Sequence, residues 1–125
     1  MKKLITFGII TVALLAGGIA FLSRGETTPQ VQSQNTTAYE YFWGEGCTHC
    51  QKVAEFFDTW DKKDKVVIDK KEVFGNQINQ LLLTKRAKSC NINQNEIGVP
   101  FLYTPDGKCL TGDQPIIEYF QNLSL

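Results

Sequence analysis

The chain has 125 residues, and its 13 basic residues balance its 13 acidic residues at pH 7. This length suits one domain once the N-terminal segment is set aside. The charges form neither a basic stripe nor an acidic tail, so the sequence indicates a mixed, solvated surface and no nucleic-acid partner. Four cysteines are too few for a small secreted disulfide knot, although an even number allows them to pair.

The N-terminal segment, residues 1–24, is predicted to be a signal peptide or a membrane anchor that forms a hydrophobic helix. After a basic start, 19 residues from Leu4 to Leu22 carry no charge. A cleaved signal usually has an apolar region of roughly 7–15 residues, whereas roughly 20 apolar residues span a bilayer, so the length favours an uncleaved anchor. Both interpretations keep the basic end in the cytoplasm and place the rest of the chain outside it.

We therefore expect a protein of the cell membrane with a single N-terminal span and an extracytoplasmic domain, or a secreted or periplasmic protein if the segment is cleaved. Residues 25–37 are rich in Thr, Gln, Ser and Asn and include one apolar residue, Val31, which predicts a flexible linker. Residues 38–125 are predicted to form the folded domain, in a compartment where disulfides form and persist.

The first half of this domain has a strand, a helix and the start of a second strand. The aromatic and apolar run from Ala38 to Trp43, bounded by Gly44, predicts a buried strand. From Cys47 the pattern is helical, and four apolar residues at i, i+3, i+4 and i+7 form one face: Val53, Phe56, Phe57 and Trp60. A polar turn ends this helix, and Val66 begins the second strand.

The second half starts with a helix from Gly75. Its predicted inward residues are Ile78, Leu81 and Leu82, and its last turn carries Lys85, Arg86 and Lys88, which suit the helix dipole. A third strand from Val99 to Tyr103 and a fourth from Cys109 to Thr111 flank a Pro-Asp-Gly turn and form a hairpin.

A last helix completes the order β-α-β-α-β-β-α. Gly112 and Asp113 cap this helix, Pro115 lies in its first turn, and its core candidates are Ile116, Ile117, Tyr119, Phe120 and Leu123. A helical crossover joins the first two strands, so they should be parallel, whereas the last two strands are antiparallel. The sequence thus predicts an α/β fold with a four-stranded mixed sheet flanked by helices.

Two cysteines, Cys47 and Cys50, stand where the first strand ends and the first helix begins. The first N–H groups of a helix carry partial positive charge, so a thiolate at Cys47 is stabilised and can attack a disulfide near neutral pH. Cys50, one turn further on, can resolve the resulting mixed disulfide. A protonated His49 would stabilise the reduced form and make the pair more oxidising.

Two other interpretations of this pair stay open, a passive staple and half of a metal site. Zinc usually needs a second ligand pair at matched spacing, whereas the remaining cysteines, Cys90 and Cys109, are isolated. The sequence therefore favours a redox pair with no metal and no cofactor.

Residues 38–125 resemble the thioredoxin superfamily, in the form of its glutaredoxin-like minimal domain. The resemblance rests on FWGEGCTHC after a strand, on IGVPFLYTPDGKCLTG and on a final helix, and it covers essentially all of residues 38–125. It implies a thiol–disulfide oxidoreductase with Cys47, Cys50 and His49 as catalytic residues. It also implies that Pro100 is a cis-proline facing the pair and that the backbone of Val99 pairs with an extended substrate peptide.

This chain departs from the family pattern at two positions. Oxidising periplasmic members typically have proline where Thr48 stands here, although they share the histidine. Many members carry a buried acid six residues before the first cysteine, where this chain has Tyr41, and strand alternation turns Glu40 to the other face. Glu45 is a candidate proton acceptor for Cys50, although a solvated loop carboxylate is the more usual role. Nothing in the sequence supports the use of glutathione.

The second cysteine pair consists of Cys90, at the end of the second helix, and Cys109, just after the hairpin turn. In a thioredoxin-like arrangement both lie toward the end of the sheet remote from Cys47. A structural disulfide there would add roughly 2–4 kcal/mol. Two separate buried thiols remain the alternative, and an exported location favours the disulfide.

The function predicted from the sequence is thiol–disulfide exchange on exported proteins. Its partners would be protein thiols and disulfides as substrates, a redox partner that recycles the pair, and the membrane through the N-terminal segment. Two alternatives are a non-catalytic thioredoxin-like binding module and a metal-handling protein that uses the same cysteines. The sequence leaves the direction of electron flow open, and His49 favours the oxidising direction.

Overall fold

The computed structural model describes residues 37–125. Within them the chain forms four strands and three α-helices: β1 (Tyr39–Trp43), α1 (Thr48–Thr59), β2 (Ile68–Glu72), α2 (Gln77–Ser89), β3 (Phe101–Tyr103), β4 (Cys109–Thr111) and α3 (Asp113–Gln121). None of these helices is long and apolar enough to cross a membrane. The predicted anchor, and all but the last residue of the predicted linker, lie outside the described residues.

The four strands form one mixed sheet in the order β2-β1-β3-β4. Strand β1 pairs in parallel with β2 and antiparallel with β3, which pairs antiparallel with β4. In this register Tyr41 lies between Lys70 of β2 and Leu102 of β3. The predicted order of elements and the mixed four-stranded sheet are therefore confirmed.

Apolar side chains cover both faces of the sheet because successive residues of a strand point to opposite sides. On one face α1 and α3 enclose a cluster of seven buried residues: Tyr41, Val53, Phe57, Trp60, Leu102, Ile116 and Phe120. On the other face α2 covers a smaller cluster: Phe42, Val73, Leu83, Ala87 and Phe101. The inward face predicted for the first helix lies in the larger cluster, with Phe56 packed against it.

The predicted inward face of α2 was wrong for Ile78 and Leu81 and right for Leu82. Ile78 and Leu81 are 78% and 67% exposed, whereas Leu83 and Ala87 are buried, and Leu82 packs against the smaller cluster. A run of three leucines fits two helical faces equally well, so the apolar pattern alone does not set the rotation of the helix.

Two strand boundaries also differ from the prediction. Strand β2 begins at Ile68 rather than at Val66: Val66 is already extended, but pairing with β1 starts only at Ile68, opposite Tyr39. Strand β3 begins at Phe101 rather than at Val99, and the proline that precedes it has no N–H to donate to a neighbouring strand. Both differences leave the order of the elements unchanged.

A buried ion pair joins β1 to α2. Glu40 is 3% exposed and faces α2, opposite to Tyr41. Arg86 donates from Nε to Glu40 Oε2 at 2.6 Å and from Nη2 to Glu40 Oε1 at 3.0 Å. The guanidinium also lies 4.4 Å from the centre of the Tyr103 ring. The hydrogen bonds that Arg86 donates to Glu40 raise the pKa of Arg86 against the opposing effect of burial, so the guanidinium stays charged.

Replacing Arg86 with methionine should lower the free energy of unfolding by about 3 kcal/mol, because the buried carboxylate loses its compensating charge. Urea unfolding followed by circular dichroism measures this loss. The double variant Glu40→Leu/Arg86→Met should recover most of it, since no buried charge remains. Lys85→Met, at an exposed neighbour on the same helix, is the matched control. A loss no larger than that of the control would contradict the prediction.

Candidate functional site

The site is built around the start of helix α1. Cys47 is the N-cap of this helix, and its Sγ accepts the N–H of Cys50 at 3.1 Å. The two cysteines are joined by a disulfide, with their Cα atoms 5.2 Å apart. Cys47 is half-buried, whereas Cys50 is 3% exposed. An incoming sulfur therefore meets Cys47 first, and Cys50 lies behind it.

Two glycines shape the turn that delivers Cys47 to the helix. The ring of Phe74 lies so close to Gly44 that any Cβ at this position would overlap it. Gly46 has φ +75°, a backbone conformation that L side chains rarely adopt. The N–H of Cys47 donates to the carbonyl of Gly44 at 3.2 Å and closes the turn. The spacing between the end of β1 and Cys47 therefore depends on both glycines.

The Val99–Pro100 segment lies beside the redox pair. The peptide bond between these residues is cis. The carbonyl oxygen of Val99 lies 3.9 Å from Cys47 Sγ, within reach of a thiol hydrogen bond. Pro100 is buried, and its carbonyl accepts the N–H of Gly112 at 2.9 Å. The structure thus places the carbonyl of Val99 beside Cys47, with the cis-proline Pro100 next in the chain.

Tyr41 lies directly beneath the shielded cysteine. Its hydroxyl donates to the carbonyl of Cys50 at 3.2 Å, and its side chain is almost fully buried. Burial raises the pKa of Tyr41 above its usual range, so the phenol is neutral at physiological pH. This residue fixes the first turn of α1 from below but supplies no negative charge there.

His49 points away from this buried layer and is paired across the surface. Its side chain is 63% exposed, and Nδ1 lies 3.1 Å from Asp113 Oδ1. Lys52 reaches the other oxygen of the same carboxylate, with Nζ 3.4 Å from Oδ2. Burial alone would raise the pKa of Asp113, but the hydrogen bonds from His49, from the backbone N–H of Asp113 itself and from Lys52 together outweigh it and lower this pKa.

The sequence did not identify Asp113 as a member of the site. An aspartate directly after a glycine at the start of a helix has the pattern of a helix cap. This pattern gives no sign that the carboxylate contacts side chains of another helix. Only the packing of α3 beside α1 brings this carboxylate within reach of two side chains of α1. No local motif carries this information.

A cavity of about 290 Å³ opens beside the redox pair. Trp43, half-buried, lines it together with Cys50, Ala54 and Lys70. Glu45 lies on the rim and is exposed, so the structure gives it the solvated position expected of a loop carboxylate. In residues 37–125, no three side chains of His, Cys, Asp or Glu come together in a way that could hold a metal ion.

The second cysteine pair lies at the opposite end of the sheet. Cys90 is the C-cap of α2, and Cys109 opens β4 opposite Tyr103. The structure joins Cys90 to Cys109 by a disulfide, with their Cα atoms 6.2 Å apart. Cys109 Sγ also lies 3.6 Å from the carbonyl oxygen of Arg86. This bridge ties the C-terminal end of α2 to the edge of the sheet.

Removing the bridge with Cys90→Ala/Cys109→Ala should lower the free energy of unfolding by about 3 kcal/mol, because the unfolded chain regains the freedom of the closed loop. Urea unfolding under non-reducing conditions measures the change. The reduction potential of the Cys47–Cys50 pair should stay the same, since the bridge lies at the far end of the sheet. A shift in that potential would mean that the two disulfides are coupled.

Comparison with known proteins does not assign a family. No protein-family model matches this sequence, and no curated protein or solved structure shows a significant match to it. The mixed four-stranded sheet and the nearby cysteine pair are compatible with a thioredoxin-like fold. The disulfide contact between Cys47 and Cys50 is consistent with redox chemistry.

Proposed function

We propose that the domain is a thiol–disulfide oxidoreductase of the thioredoxin type that acts on exported proteins. One observation carries this proposal: a disulfide at the N-terminus of α1 with one accessible sulfur, Cys47, and one shielded sulfur, Cys50. This asymmetry defines which sulfur is attacked and which one leaves. The helix N-terminus stabilises the thiolate that forms on Cys47 when the pair is reduced.

In the oxidising direction a client thiolate attacks Cys47 Sγ, the Cys47–Cys50 bond breaks, and Cys50 leaves as a thiolate that takes up a proton. A second client thiolate then attacks the client sulfur of the mixed disulfide and expels the Cys47 thiolate. Two electrons pass from the client dithiol to the pair, and the client gains a disulfide. The reverse sequence reduces a client disulfide.

The Val99–Pro100 segment supports a substrate-binding role. An extended client peptide that pairs with the backbone of Val99 would add as a strand and gain affinity without selection for its side chains. The carbonyl of Val99, 3.9 Å from Cys47 Sγ, would then align the client cysteine with the sulfur that it attacks. Broad client specificity follows from recognition of this kind.

The N-terminal sequence supports a location outside the cytoplasm. The uncharged run from Leu4 to Leu22 would hold the protein at the cell membrane with the domain on the extracytoplasmic side. Two disulfides in one small domain agree with an oxidising compartment. Client proteins would approach from that side, and a separate redox partner would recycle the pair.

Cysteine variants test this function directly. Cys47→Ala should abolish disulfide formation in a reduced, unfolded client protein. With a client that already carries a disulfide, Cys50→Ala should accumulate a covalent complex, visible on a non-reducing gel. The Cys47 thiolate attacks the client disulfide and expels one client thiolate, and no Cys50 thiol remains to resolve the mixed disulfide. The variant Cys90→Ala/Cys109→Ala is the matched control and should keep its activity. If the wild type and Cys47→Ala were equally inactive, the domain would be a binding module or a metal-handling protein instead.

The reduction potential of the Cys47–Cys50 pair should lie in the oxidising half of the range for such proteins. This range runs from about −270 mV for thioredoxin to about −120 mV for strong periplasmic oxidants, so we expect a value above roughly −200 mV. The physical reason is that the helix N-terminus and the basic side chains of α1 favour the reduced pair. Equilibration with glutathione buffers measures the potential, and a value near that of thioredoxin would indicate a reductase.

A further inference from the structure

Both basic side chains near the N-terminal end of helix α1 are engaged by one carboxylate from α3. His49 and Lys52 lie three residues apart, on one side of α1, and each contacts a different oxygen of Asp113. The Asp113 side chain is 17% exposed, whereas those of His49 and Lys52 are 63% and 61% exposed. The carboxylate is therefore mostly covered, and the two basic groups that cover it still face solvent.

The backbone holds this carboxylate beside the N-terminal part of α1, the helix that carries the redox pair. Gly112, with φ +94°, turns the chain from β4 into α3, and its N–H donates to the carbonyl of Pro100 at 2.9 Å. Asp113 is the first residue of α3 and follows this anchor directly. Its place beside α1 is thus set by the same segment that faces Cys47, and it does not depend on a mobile loop.

We propose that Asp113 moderates the oxidising power of the Cys47–Cys50 pair by holding His49 and Lys52 and placing a negative charge beside the N-terminus of α1. This inference rests on the proposed redox function. Asp113 is a positioning residue that takes no part in the covalent change. Reduction by two thiols of a redox buffer breaks the Cys47–Cys50 bond and joins the two buffer sulfurs. It leaves a thiolate on Cys47 and a thiol on Cys50, and the second proton passes to solvent.

The direction of the effect follows from the charges that face the site. Positive charge near Cys47 stabilises the thiolate of the reduced pair, and negative charge destabilises it. The groups that face Asp113 are His49 and Lys52 of α1, and both lower its pKa against the opposing effect of burial. On its own helix, Glu118 interacts with Gln114 instead. The carboxylate is therefore ionised at physiological pH and opposes the thiolate.

The test is the equilibrium of full-length Asp113→Asn with reduced and oxidised glutathione, compared with the wild type. Removing the carboxylate charge should raise the equilibrium ratio of reduced to oxidised pair about two- to fivefold. This is the range expected for partly exposed ion pairs. This change corresponds to a potential higher by about 10–20 mV, since a tenfold change equals about 30 mV for two electrons. Glu118→Gln removes the same charge from the same helix and should leave the equilibrium unchanged.

A second pair of variants separates the charge of Asp113 from the protonation of the imidazole. In a His49→Gln background, Asp113→Asn should again favour the reduced pair, because Lys52 keeps its positive charge. A purely structural role at the start of α3 would change the urea midpoint but not the redox equilibrium.

The two proposals fail in different ways. If the wild-type pair did not exchange with glutathione at all, the redox function would be wrong, and this inference with it. If the wild type exchanged but Asp113→Asn behaved like Glu118→Gln, or favoured the oxidised pair, only the moderating role of Asp113 would be overturned.

Discussion

A cysteine takes the place that serine or aspartate usually holds at the start of a helix: Cys47 Sγ accepts the N–H of Cys50. Every other feature of the site is arranged around this contact. Gly44 and Gly46 allow β1 to turn into α1 within a few residues, and Tyr41 holds the carbonyl of Cys50 from below. The sulfur that caps the helix is also the sulfur that solvent reaches, so the geometry of the cap sets the site of attack.

The sheet separates a reactive end from a rigid end. Cys47 and Pro100 stand at one end, and the Cys90–Cys109 bridge stands at the other. The Glu40–Arg86 pair joins β1 to α2 on the way to the bridge, with Arg86 against the Tyr103 ring. A covalent and an ionic link therefore hold the scaffold at the end remote from Cys47.

Local patterns in the sequence were enough for the order of elements, for the mixed sheet and for the position of Cys47 at a helix start. They were not enough for features that depend on how a helix rotates against its neighbours. Leu81, Leu82 and Leu83 offer α2 two apolar faces, and only contacts distant in sequence select the one that is buried. The contacts of Asp113 could not be predicted from local patterns either, because its partners on α1 are more than 60 residues away in the sequence.

Tyr41 and Asp113 together describe how charge is distributed around α1. At the Tyr41 position a neutral phenol lies behind Cys50, where it binds a carbonyl and stays protonated. The ionised carboxylate stands instead on the outer side of α1, held by His49 and Lys52. The domain thus places a neutral phenol against the shielded cysteine and an ionised carboxylate between two basic side chains at the surface.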